Sequence, residues 1–81
     1  MRITSPDMLA QTMHNQRKGK NLSQQAAAAS IGIKQATLSA FENHPDGTRL
    51  ETLFKLLAAL DLELHLEQRD TDAAAQWDQK W

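Results

Sequence analysis

Leu22-Ser23-Gln24-Gln25-Ala26-Ala27-Ala28-Ala29-Ser30-Ile31-Gly32-Ile33-Lys34-Gln35-Ala36-Thr37-Leu38-Ser39-Ala40-Phe41-Glu42-Asn43 reads as two short helices joined by a tight turn. Ser23 is placed to cap the first of them, because its oxygen can accept from backbone N–H groups that have no partner inside the helix. Gln24 to Ala29 is strong helix former, and Gly32 supplies a residue able to take the positive φ that ends a helix. A third helix of the chain is predicted from Lys34 or Gln35 to about Asn43, with Leu38 and Phe41 three apart on its core face. Ala28 is small where the two helices would cross, and Ile31 and Ile33 flank Gly32 and would set the angle between them. This is the arrangement of a helix-turn-helix. The competing description is a small amphipathic bundle that binds protein.

Outward from that core, Ser5-Pro6 opens a first helix that should run to about Lys18 and stop at Gly19. After the turn Pro45-Asp46-Gly47, Thr48 and Glu51 have capping-box spacing, and Leu50, Leu53, Phe54, Leu57 and Leu60 form the expected core stripe of a fourth helix. The period then changes. Leu60, Leu62, Leu64 and Leu66 alternate with Asp61, Glu63, His65 and Glu67, which lines the leucines along one face of a strand. A lone strand satisfies neither its backbone groups nor its leucine face, so Leu62, Leu64 and Leu66 are expected to pair antiparallel with a second copy across a two-fold axis. The expected fold is mainly α: a four-helix helix-turn-helix domain plus one C-terminal β-strand that pairs across a homodimer. Residues 1–69 would form this DNA-binding and dimerisation domain, and residues 70–81 a flexible acidic tail.

Composition narrows the classes. The 81 residues carry 9 Lys+Arg and 10 Asp+Glu, a formal charge of −1, and no cysteine. A disulfide framework, a thiolate zinc site and a cysteine nucleophile are thereby excluded. No apolar run approaches the ~18 residues of a membrane span or resembles a signal peptide, which points to the cytoplasm and no membrane. The near-zero charge conceals polarity. Residues 1–40 hold five basic groups against one acidic group, and residues 41–81 hold four against nine. A basic half carrying the two turn-linked helices suits nucleic acid, and an acidic half suits a basic protein surface. So short a chain buries only ~60% of its unfolded surface, a further reason to expect a dimer.

Leu22-Ser23-Gln24-Gln25-Ala26-Ala27, Gly32 to Ser39, Phe41-Glu42-Asn43 and Thr52-Leu53-Phe54-Lys55-Leu56-Leu57 resemble the phage-repressor-type (Cro, XRE) helix-turn-helix family over about residues 9–60. More narrowly, Gly32 to Ser39, Phe41-Glu42-Asn43, Pro45-Asp46 and a helix running straight into a leucine-alternating strand resemble the HipB-type antitoxins. That resemblance implies a dimeric repressor of its own operon. It would bind palindromic operator DNA together with a HipA-like serine/threonine kinase toxin, which it restrains. The alternative is a stand-alone regulator, or an interaction module, without a toxin.

The chemistry of the third helix fits base reading. With Leu38 and Phe41 turned inward, Lys34, Gln35, Ala36 and Ser39 face out near the end that enters a major groove. Gln35 can bond adenine through N6 and N7, the Ala36 methyl can meet a thymine methyl, Ser39 can serve either base type, and Lys34 can reach guanine or a phosphate. Ser23, Gln24 and Thr37 are placed for phosphates. Arg17, Lys18 and Lys20 either approach the DNA backbone or simply complement a helix C-terminus, where cations are favourable anyway.

Trp77 and Trp81, four apart in the tail, would share one helix face on a partner, or one would fold back on the strand layer. His14, His44 and His65 stand apart in sequence, and no metal site, cofactor or catalytic constellation is expected. The chain reads as a binding protein and not an enzyme.

Overall fold

A computed structural model describes residues 2–69 and contains four α-helices: α1 Pro6–Gly19, α2 Gln24–Ser30, α3 Gln35–Asn43 and α4 Leu50–Ala59. A single 3-10 turn, Pro45–Gly47, joins α3 to α4. The expected caps of the first two helices form. Ser5 accepts from the Met8 N–H, and Ser23 accepts from the Ala26 N–H at 3.0 Å. Each spares a helix one unpaired donor, typically a contribution of ~1 kcal/mol.

Three of the helices end alike. Asn21, Gly32 and Asp61 take φ of 58°, 72° and 57°, and each turns the chain so that the next residue's N–H reaches five residues back. These bonds are Leu22 to Arg17 O at 3.1 Å, Ile33 to Ala28 O at 3.1 Å and Leu62 to Leu57 O at 2.9 Å. This left-handed cap satisfies the last carbonyls of α1, α2 and α4. Gly32 takes the predicted conformation. Gly19, by contrast, remains inside α1, and Asn21 makes the turn in its place, as a short polar side chain can.

The core draws on every helix. Ala10 and Met13 of α1, Ala27 and Ala28 of α2, Leu38 and Phe41 of α3, and Leu56, Leu57 and Leu60 at α4 are all buried. Leu22, Ile31, Ile33 and Leu53 seal its edge. Ala28 is almost wholly enclosed, which shows how closely the backbones of α2 and its neighbours approach.

Two expectations about α4 are corrected. Thr48 is not its cap: the Thr48 N–H closes the 3-10 turn on Pro45 O at 3.0 Å, and the helix starts after Arg49 with no side-chain cap bond. Nor is the stripe Leu50-Leu53-Phe54-Leu57-Leu60 uniformly inward. Leu50 and Phe54 are 70% and 55% exposed, while Leu56, which lay off the stripe, is fully buried. At roughly 100° per residue the buried arc is centred on Leu53, Leu56, Leu57 and Leu60, which puts Phe54 on its flank. Beyond α4, residues 62–69 pair with no strand among the described residues, and Leu64 and Leu66 are 43% and 95% exposed.

Candidate nucleic-acid interface

The outer face of α3 is open over its first turn. Lys34, which precedes the helix in extended conformation, and Gln35, Ala36 and Thr37 are exposed, and Ser39 is half-buried, opposite the anchored Leu38 and Phe41. The Ser39 hydroxyl accepts from Asn43 Nδ2 at 3.3 Å and keeps its own proton to donate. The four residues expected to read bases thus share one accessible face.

Behind that face lies a polar network that sequence alone did not suggest. Arg17 donates from Nε to Glu42 Oε2 at 2.7 Å, and from its terminal nitrogens to Glu42 Oε1 at 3.1 Å and Leu22 O at 2.8 Å. His14 Nδ1 lies 2.8 Å from Glu42 Oε1. Because an ionised carboxylate only accepts, that nitrogen carries the ring proton. Gln24 Nε2 adds a third donor to Oε1 at 3.1 Å, and Gln24 Oε1 in turn accepts from Gln35 Nε2 at 3.4 Å. Glu42 therefore ties α1, α2 and α3 together at one carboxylate.

Burial alone would raise the Glu42 pKa. The hydrogen bonds from Arg17, His14 and Gln24 and the positive charge of Arg17 outweigh it, and hold the group at about 2. Glu42 stays ionised at any pH where the protein works. No buried polar side-chain atom lacks a partner among the described residues, so the network is fully satisfied.

This geometry corrects the basic cluster. Arg17, expected at the DNA backbone, is only 6% exposed, and its guanidinium is spent on Glu42 and Leu22. The signal was present: Ala10, Met13 and Arg17 follow the three-and-four spacing of the buried face of α1. Lys20 bonds Asp61 Oδ2 at 2.9 Å, joining the ends of α1 and α4, and Lys18 alone of the three remains simply exposed. Gln24, expected at a phosphate, is half-buried with its amide engaged at both ends, although one N–H of its nitrogen remains. Ser23 is exposed, its oxygen serving as the α2 cap while its hydroxyl proton stays available.

On the other flank of α3 a cleft of about 370 Å³ is lined by Thr37, Ala40, Phe41, His44, Gly47, Thr48, Arg49 and Thr52. Arg49, exposed just before α4, lines this cleft together with Thr37 of α3. No group of His, Asp and Glu that could hold a metal occurs among the described residues. Leu62 is half-buried against the core and Leu64 and Leu66 lie outside it. Trp77 and Trp81, with the expected tail 70–81, lie outside the described residues.

Comparison with known proteins places this geometry. A helix-turn-helix family model matches residues 13–66. Antitoxin HipB of Escherichia coli O6:H1 is 43% identical over 83 residues, covering 99% of this chain and 88% of that protein. Antitoxin HipB of Escherichia coli K12 is 48% identical over 65 residues, 80% of this chain and 74% of its own length. Among solved structures, the HipA-HipB-O2-O3 complex contains a chain 44% identical that superposes with a TM-score of 0.85, over 86% of this chain and 99% of that one. A HipB-O4 20mer complex gives a TM-score of 0.84 with the same identity, over 86% and 99%.

Proposed function

The chain belongs to the helix-turn-helix family and, within it, to the HipB antitoxins, and from that premise we propose that it is an operator-binding antitoxin. As a dimer it would repress its own operon and restrain a HipA-like serine/threonine kinase. The observation that carries the proposal is the exposed face Lys34-Gln35-Ala36-Ser39, backed by a satisfied ionic network, in a chain 44% identical to one solved in a HipA-HipB-O2-O3 complex. In this reading Gln35 meets an adenine, Ala36 a thymine methyl, and Lys34 and Ser39 neighbouring base edges or a phosphate. Ser23, Thr37, Lys18 and the remaining N–H of Gln24 meet phosphates, and Arg49 extends that contact from the far flank of α3.

The dimer would form on the acidic half. Leu50 and Phe54 turn outward on α4, and beyond it Leu64 and Leu66 are exposed while Leu62 keeps one side against the core. A two-fold copy covers both, pairing Leu62, Leu64 and Leu66 antiparallel and presenting two α3 helices to half-sites about one DNA turn apart. Residues 1–69 would then be the DNA-binding and dimerisation domain, and residues 70–81, through Trp77 and Trp81, the segment that engages the kinase. No helix among the described residues is long and apolar enough to cross a membrane. A cytoplasmic binding protein without catalysis of its own accords with these parts.

Operator binding by Gln35→Ala tests the core of the proposal. Loss of ~1–3 kcal/mol of preference at one base per half-site is expected, whereas Lys18→Ala should weaken all sequences alike and reduce the salt dependence. Unchanged base preference in Gln35→Ala would remove α3 as the reading helix.

A further inference from the structure

Asn43, the last residue of α3, folds its side chain back one turn onto Ser39, where Nδ2 lies 3.0 Å from the backbone oxygen and 3.3 Å from the hydroxyl. We infer that Asn43 holds the Ser39 hydroxyl as a hydrogen-bond donor toward DNA, so that Ser39 selects an acceptor edge, guanine or thymine over cytosine, with Asn43 as its positioning residue. The inference rests on the proposed reading of bases by the outer face of α3.

The polarity follows from what each group can give. A backbone carbonyl only accepts, so the amide nitrogen of Asn43, and not its oxygen, must face Ser39 O. The same nitrogen then donates to Ser39 Oγ, which uses one lone pair of the hydroxyl and turns its proton away from Asn43. That proton finds no acceptor within the helix. The hydroxyls of Thr12 and Ser30 donate back to the carbonyls of Met8 and Ala27, at 2.9 and 2.7 Å. Ser39 makes no such bond, and Asn43 is the one partner of its hydroxyl among the described residues. Closing DNA over this face removes water from the hydroxyl, whose proton then needs an acceptor on the base edge. Guanine supplies N7 and O6 and thymine supplies O4, whereas cytosine offers only its N4 donor. Opposite cytosine the proton is left unpaired, which costs free energy in a dry contact. Without Asn43 the serine can change rotamer, donate back along the helix as Thr12 and Ser30 do, and accept from cytosine.

A purely structural role for Asn43, or a phosphate contact by it, would change affinity for all DNA alike. Orientation of Ser39 changes the ratio between bases. The test uses the full chain and a duplex that the wild-type protein selects from a randomised pool, with each base pair of a half-site then exchanged singly. Ser39→Ala should abolish the preference over cytosine at one position, distinct from the position that Gln35→Ala affects. Asn43→Asp presents an acceptor-only carboxylate, which takes the hydroxyl proton and turns a lone pair outward. It should lower the preference over cytosine at the Ser39 position about tenfold. Its added charge weakens binding to every duplex and cancels in the ratio. Asn43→Ala, a good helix former that adds no charge, should lower the same ratio by a smaller factor; should Asn43→Asp fail to fold, Asn43→Ala decides alone. A wild-type ratio in the Asn43 variants, alongside its loss in Ser39→Ala, overturns the orienting role and leaves base reading by Ser39 standing. A uniform change in Ser39→Ala overturns both, and the proposed reading by α3 falls with them only if Gln35→Ala also leaves base preference unchanged.

Discussion

The α1–α3 half and the α4 half of this molecule use apolar stripes of similar quality in the sequence and put them to different ends. In α3, Leu38 and Phe41 are both buried, and what faces out is polar or alanine. In α4, Leu56, Leu57 and Leu60 are buried while Leu50 and Phe54 face solvent, and beyond the helix Leu64 and Leu66 are exposed as well. The first half is finished by its own chain, down to a fully satisfied ionic network. The second presents apolar surface on two sides, the pattern of an element that has one neighbour in its own chain and another outside it.

The sharpest way to break this contrast is to open the finished half. Arg17→Met leaves Glu42 buried without its cation and should cost ~3–5 kcal/mol in denaturant unfolding. A loss under ~1 kcal/mol would mean that the pair is only a surface ion pair. Next in size is a pair of truncations in α4. Leu56→Ala should cost ~2–5 kcal/mol of stability at any protein concentration, because it opens a cavity. Phe54→Ala should act through the dimer, so that its effect on the melting temperature fades as concentration falls. Equal, concentration-independent losses for the two would place Phe54 in the monomer core.

A titration sharpens the same comparison. The folded pKa of Glu42, about 2, lies below its ordinary 4.5, so its contribution is fully present above pH ~4.5 and is lost as pH falls toward 2. The amount is on the order of 3 kcal/mol, and Glu42→Gln should flatten that part of the stability profile. The smallest effect concerns the turn. Gly32 sits at φ +72° with open space where a Cβ would stand, so Gly32→Ala should cost ~1 kcal/mol of backbone strain without a clash. A neutral result would show that the α2–α3 turn can relax.

Much of the helix-turn-helix was legible. Ser23, Ala28, Gly32, Leu38 and Phe41 announce themselves because capping, close crossing, positive φ and three-residue spacing each demand particular residue types at fixed local offsets. Arg17 and Glu42 did not, since their partnership spans 25 positions of sequence. A basic residue at the end of a helix also has an adequate local explanation of its own. The α4 stripe misled for a related reason: Leu50, Leu53, Phe54, Leu56, Leu57 and Leu60 offer more apolar positions than one face can take. Periodicity cannot say which arc a neighbouring helix will cover.

The amino-acid sequence by itself determined the helices, the left-handed turn at Gly32, the outward face of α3 and the family, because all of these depend on short-range stereochemistry and on motifs carried in order along the chain. Tertiary structure alone decided that the Arg17 guanidinium is spent on Glu42, that Glu42 becomes the shared acceptor of three helices, and that Leu50 and Phe54 are left outside. Those outcomes depend on which side chains meet across the core, where burial makes an unpaired charge costly and an apolar surface without a neighbour available for another.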